Sequence, residues 1–434
     1  MMGKRKWRII LPAAAMLSLS GLANAQIPSG ANMNAADSAF MFVCAALVLL
    51  MTPGLALFYG GMVRGKNVLS SMMHSFVAMG IISLQWVLLG YSLAFGPDHG
   101  GIIGDLHWFG LRHMLTLQPL IGAEGHQIPH YLFVLYQGMF AIITPALISG
   151  AMAERMKFKA YVIFILLWAT LVYDPICHWV WNPGGWLFKL GALDFAGGTV
   201  VHMSSGFTAL VIALMLGRRK GFPDEPLLPH SLPLCLIGTG LLWFGWMGFN
   251  PGSALQINEQ AIVAFMSTNA AAASAAITWM MLDWIGFKKP TALGTASGAV
   301  AGLVAITPAA GYVGPLSAII IGAVAGFFCR FMVRWRTRRG IDDSLDAFGV
   351  HGMGGLAGAL LTGVFASYAS KGLLHGDAAQ LGKQILGALA TAVYAPLVSF
   401  IILKTLDLTI GLRVNGQEEF QGLDLAQHGE AAYE

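Results

Sequence analysis

Two short stretches of the chain place an acid and a histidine inside or beside segments that are otherwise almost wholly apolar. The first is Asp194–His202, with the sequence DFAGGTVVH, and the second is Asp346–His351, with the sequence DAFGVH. An ionisable side chain at membrane depth is costly unless it is paired or functional. His202 and His351 are therefore the first candidates for a functional pair.

A facing pair of histidines could line a path and relay a proton without holding a permanent charge. Neutral imidazole has one donor and one acceptor nitrogen, and it takes up a proton near neutral pH. The alternative is that each histidine is a packing residue with locally satisfied nitrogens. The Gly- and Ser-rich sequence after both histidines favours the pair, because small residues let another helix approach closely.

Asp194 has two possible roles. It precedes His202 by eight residues, at the predicted start of a span. An aspartate there can cap the helix and face the positive end of its dipole. Direct contact with a substrate is the alternative, and capping is favoured. Asp346 carries the same ambiguity before His351.

Aromatic side chains gather near the ends of several predicted spans. A single Trp or Tyr there is an ordinary residue of the membrane interface. A cage of them attracts a small cation through the ring faces, by up to about 2 kcal/mol when water is excluded. Phe140 follows Tyr136 by four residues on the same helical face, so one ring can lie at a mouth and the other beneath it. The candidates are Tyr136, Phe140, Trp179, Trp181, Trp246 and Phe249.

The composition is that of a membrane protein. Of 434 residues, 56% are hydrophobic and 11% are charged, against about 25% charged in a soluble domain. The apolar blocks are long enough to cross a bilayer, and the absence of strand-type alternation favours helices. The net charge of +4 is not interpreted as a nucleic-acid footprint. Four scattered cysteines predict neither a disulfide framework nor a metal site.

The hydropathy pattern predicts eleven transmembrane helices. Residues 1–25 have the layout of a cleavable signal peptide, with an uncleaved anchor as the alternative. Residues 26–410 form the membrane domain, and residues 411–434 form a C-terminal tail. Loops on one side hold fifteen Lys and Arg, whereas those on the other hold four, which predicts the N-terminus outside and the tail in the cytoplasm. The spans are 39–60, 72–95, 131–152, 160–180, 197–216, 232–249, 261–285, 292–309, 312–333, 348–366 and 384–408.

The fold class is thus an all-α polytopic membrane protein with inverted five-helix repeats plus an eleventh helix. The repeat is faint in sequence: residues 201–210 resemble residues 350–360 when one residue of slack is allowed. The two histidine helices enter the membrane from opposite sides. Inverted-repeat transporters with this arrangement place the site near the midplane, between the halves.

The combination of a cation cage and an apolar path limits the substrate. Transfer of a bare ion along a route lined by Gly, Ala and Phe, with almost no carboxylates, costs many kcal/mol. The sequence also contains no potassium-type filter. A cation that can lose its proton avoids this cost and crosses as a neutral molecule. Ammonium meets that requirement, whereas sodium and potassium do not.

The sequence as a whole resembles the bacterial branch of the ammonium transporter (Amt/Rh) family. The resemblance covers essentially the whole mature chain in several long motifs in the same order. These are residues 53–61 with 64–67, 191–202, 248–250 with 252–254, 348–352, and 411–414 with 422–424 and 428–430. It implies a homotrimer with one path per subunit in the bacterial inner membrane, carrying ammonium or methylammonium among membrane lipids.

The resemblance also implies residue roles. Trp181, Ser253 and Tyr136 would bind ammonium at an outer site, Tyr136 standing where the family usually has Phe and Pro251 where it commonly has a small residue. Phe140 and Phe249 would form a stacked gate, and His202 and His351 would line the pore. Asp194 would support the outer site, with Trp246 as a second supporting residue. A PII-type signalling protein would bind the cytoplasmic face and tail.

Three other functions remain open. An ammonium sensor is the first, although no kinase or cyclase sequence follows the last span to transmit a signal. A membrane enzyme is disfavoured because no catalytic residues, metal cluster or cofactor loop is recognised. A channel for gas or neutral solutes would differ by lacking a cation cage.

Overall fold

The computed structural model describes residues 33–114 and 128–433 as a helical bundle. Ten helical stretches are long and apolar enough to cross a membrane, and Ala292–Ile306 is an eleventh, shorter apolar helix. The eleven predicted spans are therefore confirmed as helices. The predicted signal peptide, residues 1–25, lies outside the described residues.

The first half of the bundle contains seven α-helices and one small hairpin. Two spans contain π-helical turns, at Trp86–Gly90 and Ala169–Tyr173. Asp98–His99 (β1) and Ile103–Gly104 (β2) pair antiparallel. The helices are α1 (Ala35–Met62), α2 (Val68–Gln85), α3 (Tyr91–Phe95), α4 (His130–Ile148), α5 (Phe158–Trp168), α6 (Asp174–Trp181) and α7 (Trp186–Leu190).

The remaining helices begin with the fifth span and end in a folded tail. The π-helical turns of this part are Gly198–Met203, Phe348–Gly352 and, in the tail, Asp424–His428. The helices are α8 (Ser204–Leu216), α9 (Leu232–Phe249), α10 (Glu259–Phe287), α11 (Ala292–Ile306), α12 (Pro315–Arg338), α13 (Met353–Phe365), α14 (Ala378–Thr409) and α15 (Gly416–Gln421).

Polar side chains fix where several helices begin. Asn34 accepts hydrogen bonds from the backbone N–H groups of Ala36 and Asp37 at the start of α1. Asn258 does the same for Ala261 at the start of α10. These caps satisfy N–H groups that have no partner within the helix.

The two ends of the bundle are called the hairpin end and the tail end. The hairpin end contains β1, β2, α7 and the start of α1, and Trp186 donates its backbone N–H to the carbonyl of Gly101 there. The tail end contains residues 411–433, which lie against the loops between spans. Asp424 accepts from the backbone N–H groups of Leu69 and Ser70 at the start of α2, attaching the tail to the bundle.

The two histidine helices pack crosswise. Helix α8 lies against the π-helical turn Phe348–Gly352, and α13 lies against the turn Gly198–Met203. A Cβ placed on Gly206 would come within 2.0 Å of the backbone nitrogen of Gly352. This approach is possible only without side chains, which explains the glycines at the centre of the bundle.

A buried network of charges joins four loops at the tail end. Glu154 lies 2.6 Å from Arg64 and 3.5 Å from Arg219, and Arg219 lies 2.9 Å from Asp342. Burial alone would raise the pKa of Glu154, but Arg219 and Arg64 outweigh it and hold that pKa below its ordinary value. Arg155 donates to the carbonyl of Asp342 over 2.5 Å. The loops are thereby held as one unit.

Candidate functional site

Two side chains at the hairpin end, Trp181 and Ser253, are partly exposed and are together called the opening. Trp181 is the last residue of α6, and its indole N–H donates to the carbonyl of Asp194 over 2.9 Å. Ser253 lies in the 3₁₀ turn Pro251–Ala254, where its hydroxyl donates to the carbonyl of Phe249 over 3.0 Å. Pro251 fits as the first residue of this turn, because its fixed φ suits a helix start.

The rings of Phe140 and Phe249 pack against each other beside the opening. The centroids of Phe140 and Phe249 lie 4.2 Å apart with an interplanar angle of 36°. Phe140 also meets the Trp181 ring edge-to-face at 5.8 Å. Both phenylalanines are at most 1% exposed. The structure therefore brings together the two residues that the sequence predicts as a gate.

Tyr136 contributes both its ring and its hydroxyl to this region. The ring packs on Phe140 at 4.9 Å. The hydroxyl donates to the carbonyl of Phe249 over 2.6 Å, and it lies 3.2 Å from the Ser253 hydroxyl. The hydroxyl is fully buried and holds the end of α9 beside Ser253.

His202 and His351 face one another below the phenylalanines. Their Nδ1 atoms lie 3.3 Å apart, and their rings are nearly parallel with centroids 5.4 Å apart. They line a cavity with about 10 Å³ of space for the centre of a water-sized molecule. Apart from the two imidazoles its walls are mostly apolar, including Val300 and Leu242. Ammonia has the size and the lack of charge that such a cavity accepts.

The contact between the two Nδ1 atoms makes the pair chemically asymmetric. One Nδ1 must carry the hydrogen and the other must accept it. In neutral rings, the donor's Nε2 is then a bare acceptor, and the acceptor's Nε2 carries a hydrogen. The Nε2 of His202 has no partner among the described residues, which leaves it available to a molecule in the path.

Trp246 supports one face of His202. Its ring stacks on the imidazole at 5.5 Å with an interplanar angle of 24°. The Trp246 indole N–H donates to the hydroxyl of Thr307 over 2.9 Å, which fixes the ring. Thr307 has no sequence signal that would mark it as part of the site.

Asp194 caps the turn that carries His202. Its carboxylate accepts from the backbone N–H groups of Gly197, Gly198 and Thr199 over 2.6 to 2.8 Å, and from the Thr199 hydroxyl. Burial raises the pKa of Asp194, and the bonds from Thr199 and the glycines limit the rise. These contacts are those of a helix cap, the role that the sequence analysis favours for Asp194.

The counterpart of Asp194 is Asp343, which the sequence comparison missed. Asp343 accepts from the backbone N–H of Phe348 over 2.8 Å, at the start of the turn that carries His351. Asp346, the acid singled out from sequence, instead pairs with Arg336. A better signal was available, because Asp343 precedes His351 by eight residues, the same spacing as Asp194 and His202.

Over residues 33–114 and 128–433, no three His, Cys, Asp or Glu side chains come close enough to hold a metal ion. The candidate site consists of aromatic rings, two imidazoles and the hydrogen-bonding groups that hold them.

Comparison with known proteins gives a consistent result. A model of the Ammonium Transporter Family matches residues 39–433. An ammonium transporter of Bacillus subtilis is 52% identical over 408 residues, covering 93% of this chain and 99% of that protein. The crystal structure of Candida albicans Mep2 is similar with a TM-score of 0.84 and 40% identity, covering 92% of this chain and 91% of that one. A structure named Sensor Amt Protein is similar with a TM-score of 0.83 and 31% identity, covering 91% and 98%.

Proposed function

Since the chain belongs to the ammonium transporter family, we propose that it carries ammonium nitrogen across a membrane. The proposal rests on one observation: three chemically different environments follow one another through the protein. A partly exposed Trp181 leads to the stacked Phe140 and Phe249, and these lead to the paired His202 and His351 in an apolar cavity. A cation is attracted at the first and excluded at the last.

In the proposed mechanism the proton and the nitrogen separate at the phenylalanine pair. Ammonium rests against Trp181 and Ser253, gives up its proton near Phe140 and Phe249, and passes His202 and His351 as ammonia. The acceptor of that proton is the Nε2 of His202, which has no partner among the described residues and is a bare acceptor in the tautomer whose Nδ1–H donates to His351. Asp194 and Trp246 act by holding the turn and the imidazole in place.

We propose that the hairpin end faces outward and the tail end faces the cytoplasm of a bacterial inner membrane. The distribution of basic residues supports this orientation, because Arg64, Arg155, Arg219 and Arg336 all belong to the tail end. A cleaved signal peptide over 1–25, a homotrimer and a PII-type partner at the tail end belong to the same proposal. The signal peptide rests on the layout of the first 25 residues, and the homotrimer and the partner rest on the family resemblance.

The proposal is tested by the concentration dependence of methylammonium uptake. Trp181→Leu removes the ring at the opening but leaves the cavity intact. We expect uptake at low substrate to fall strongly, and uptake at high substrate to fall less. Unchanged uptake at low substrate would favour a channel for neutral solutes.

The fate of the proton is tested separately, in liposomes that contain the purified protein. If the proton follows the nitrogen, ammonium pulses produce an inward positive current that disappears in His202→Ala. Pulses that carry labelled substrate without any current would show neutral transport.

A sensor role is the second candidate, supported by the similarity to Sensor Amt Protein. Identity to that structure is 31%, against 52% to the transporter of Bacillus subtilis, so transport is preferred. A wild-type protein that takes up no methylammonium but changes cellular signalling in response to ammonium would reverse this preference.

A further inference from the structure

Helix α6 carries a buried histidine one turn before Trp181. His178 is fully buried, and it precedes Trp181 by three residues, so the two side chains are neighbours on the helix. Trp181 is the last residue of α6, and its ring meets that of Phe140 edge-to-face. The contacts that fix the last turn of α6 therefore also fix the ring on which ammonium is proposed to rest.

Both ring nitrogens of His178 face hydrogen-bond acceptors. Nδ1 lies 2.9 Å from the carbonyl oxygen of Ala94, and Nε2 lies 3.0 Å from a carboxylate oxygen of Asp98. The bond from His178 is the main reason that the pKa of Asp98 lies below its ordinary value, and Asp98 is therefore ionised. The backbone N–H of Gly101 and the ammonium group of Lys189 lower that pKa further. A neutral imidazole carries a single N–H, so a ring that donates to both oxygens is an imidazolium.

These two bonds join α6 to the end of the second span and to the hairpin. Ala94 belongs to α3, and Asp98 belongs to β1. Asn182, the residue after Trp181, also donates to the carbonyl of Ala94, over 3.2 Å. The last turn of α6 is thus attached at both of its ends. The attachment through His178 responds to pH, because an imidazole gains or loses its proton between about pH 5 and pH 8.

The ionisable groups around this imidazole come from several elements. Asp98 contacts it from β1, in which the next residue, His99, is exposed. Lys189 in α7 lies 3.4 Å from the second carboxylate oxygen of Asp98. His202, in the turn that packs on α6, belongs to the pore pair, and Asp174, one turn earlier on α6, bonds to a glutamine of α2. Asp98 is therefore the charged group whose bond changes when the imidazole loses its proton.

We propose that His178 is a positioning residue for Trp181 and that it acts as an imidazolium. The inference rests on the proposed binding of ammonium at the opening. When the ring loses a proton, one N–H remains for two acceptors, so either the carbonyl of Ala94 or the carboxylate of Asp98 loses its bond. The last turn of α6 then loses an attachment, and Trp181 loses its fixed orientation. The affinity for ammonium is therefore higher when the outer face is acidic.

Electrostatic repulsion alone predicts the opposite direction. An imidazolium one turn from Trp181 repels a cation, so its loss would strengthen binding as pH rises. Asp98 compensates this positive charge from 3.0 Å, which leaves the geometric effect as the larger one. The direction in which affinity changes with pH thus distinguishes positioning from repulsion.

The test measures labelled methylammonium uptake by cells that lack their own carriers, at outer pH values from about 5 to about 8. Methylammonium remains a cation throughout this range. We expect the half-saturating concentration of wild type to rise about fivefold over it, as for the loss of one net hydrogen bond. His178→Gln has a single amide nitrogen that cannot reach both acceptors, so its half-saturating concentration should be raised at every pH. Maximal uptake and membrane abundance are measured for each variant, which separates lost affinity from failure to fold.

Asp98→Asn is a second variant, at a partly exposed position. Its amide can donate to a neutral Nε2 or accept from a protonated one, so both bonds of His178 form in either state. We expect its half-saturating concentration to be nearly independent of pH. The matched controls at the same end are Asp105→Asn, whose carboxylate accepts from the backbone N–H of His107, and His107→Gln at an exposed position. Both should reproduce the wild-type pH curve.

Three results would overturn the inference. The first is a wild-type half-saturating concentration that stays constant or falls as pH rises. The second is a pH curve of His178→Gln or Asp98→Asn that equals the wild-type curve, and the third is loss of the pH effect in either control. Wild-type cells that take up no methylammonium at any pH would instead contradict the proposed function.

Discussion

The hydroxyl of Tyr136 connects the opening to the phenylalanine pair through one hydrogen bond. It donates to the carbonyl of Phe249, the last residue of α9, while its ring packs on Phe140. The same carbonyl accepts from Ser253, which lines the opening. Tyr136 and Ser253, which the sequence analysis assigns to the outer site, are therefore both tied to the backbone of the gate residue Phe249.

Tyr136→Phe should affect stability more than substrate binding. It removes a buried hydrogen bond, whose net contribution to the free energy of unfolding is about 1 kcal/mol, but it keeps the ring against Phe140. We expect a lower thermal midpoint for the purified protein and a half-saturating methylammonium concentration within about twofold of wild type. A large shift in half-saturation with an unchanged thermal midpoint would mean that the hydroxyl contacts the ion.

The turns before α8 and α13 hold the two histidines in register. Each begins at a buried aspartate that accepts backbone N–H groups, Asp194 in one and Asp343 in the other. Each is a π-helical turn, a form that is frequent at functional sites. The close contact of Gly206 with Gly352 then brings the turns together. The short distance between the imidazoles is a consequence of these backbone features.

Gly206→Ala should separate the turns. Its Cβ would lie 2.0 Å from the nitrogen of Gly352, which is backbone and cannot rotate away. We expect a loss of about 3 kcal/mol in the free energy of unfolding and a loss of uptake.

The matched control is Gly240→Ala in α9, where nothing lies within 4 Å of the added atom. It should be neutral or slightly stabilising, because alanine favours helix over glycine by about 1 kcal/mol. Equal effects of the two variants on thermal stability and uptake would contradict the packing argument.

The sequence predicted the helices well and the connections between side chains poorly. Apolar blocks and basic loops determine spans through local physics, so all eleven helices were found. The spacing from Asp194 to His202 recurs at Asp343, and a strict comparison of spacings would have identified it. The direction of the Tyr136 hydroxyl and the bond from Trp246 to Thr307 depend on packing between helices distant in sequence, which no local pattern encodes.

The two ends of the molecule differ in their chemistry. The tail end contains a buried network in which Arg219 contacts both Glu154 and Asp342, and the tail itself binds the start of α2 through Asp424. The hairpin end contains the opening at Trp181. Substrate access and the attachment of the tail are therefore at opposite ends, so a partner at the tail would act through the loops and turns beneath it.

Asp343 should make the stability of the whole protein depend on pH in the mildly acidic range. Burial raises the pKa of Asp343 to about 6, against the opposing effect of Arg336. For an acid with a raised folded-state pKa, the stabilising contribution is complete below the unfolded-state value, about 4, and is lost as pH rises through about 6. Asp343→Asn keeps an oxygen for the Phe348 N–H but cannot ionise.

The thermal midpoint of wild type, compared with that of Asp343→Asn, should therefore fall as pH rises from about 4 to about 6 and level off above about pH 7. The whole change corresponds to at most about 3 kcal/mol. Glu154→Gln is the contrasting variant: because the pKa of Glu154 is lowered, its stabilising contribution is present above about pH 4 and is lost only on further acidification. Parallel pH curves for wild type and Asp343→Asn would contradict this assignment.

The central claim is that nitrogen crosses past His202 and His351, and labelled methylammonium uptake tests it most directly. Cells that lack their own carriers would express wild type, His202→Ala or the control His375→Ala, which alters an exposed histidine in the turn Leu373–His375. Membrane abundance would be measured for each. Wild type and His375→Ala should accumulate the label, and His202→Ala at equal abundance should fall towards cells without the protein. Full uptake by His202→Ala would contradict the account.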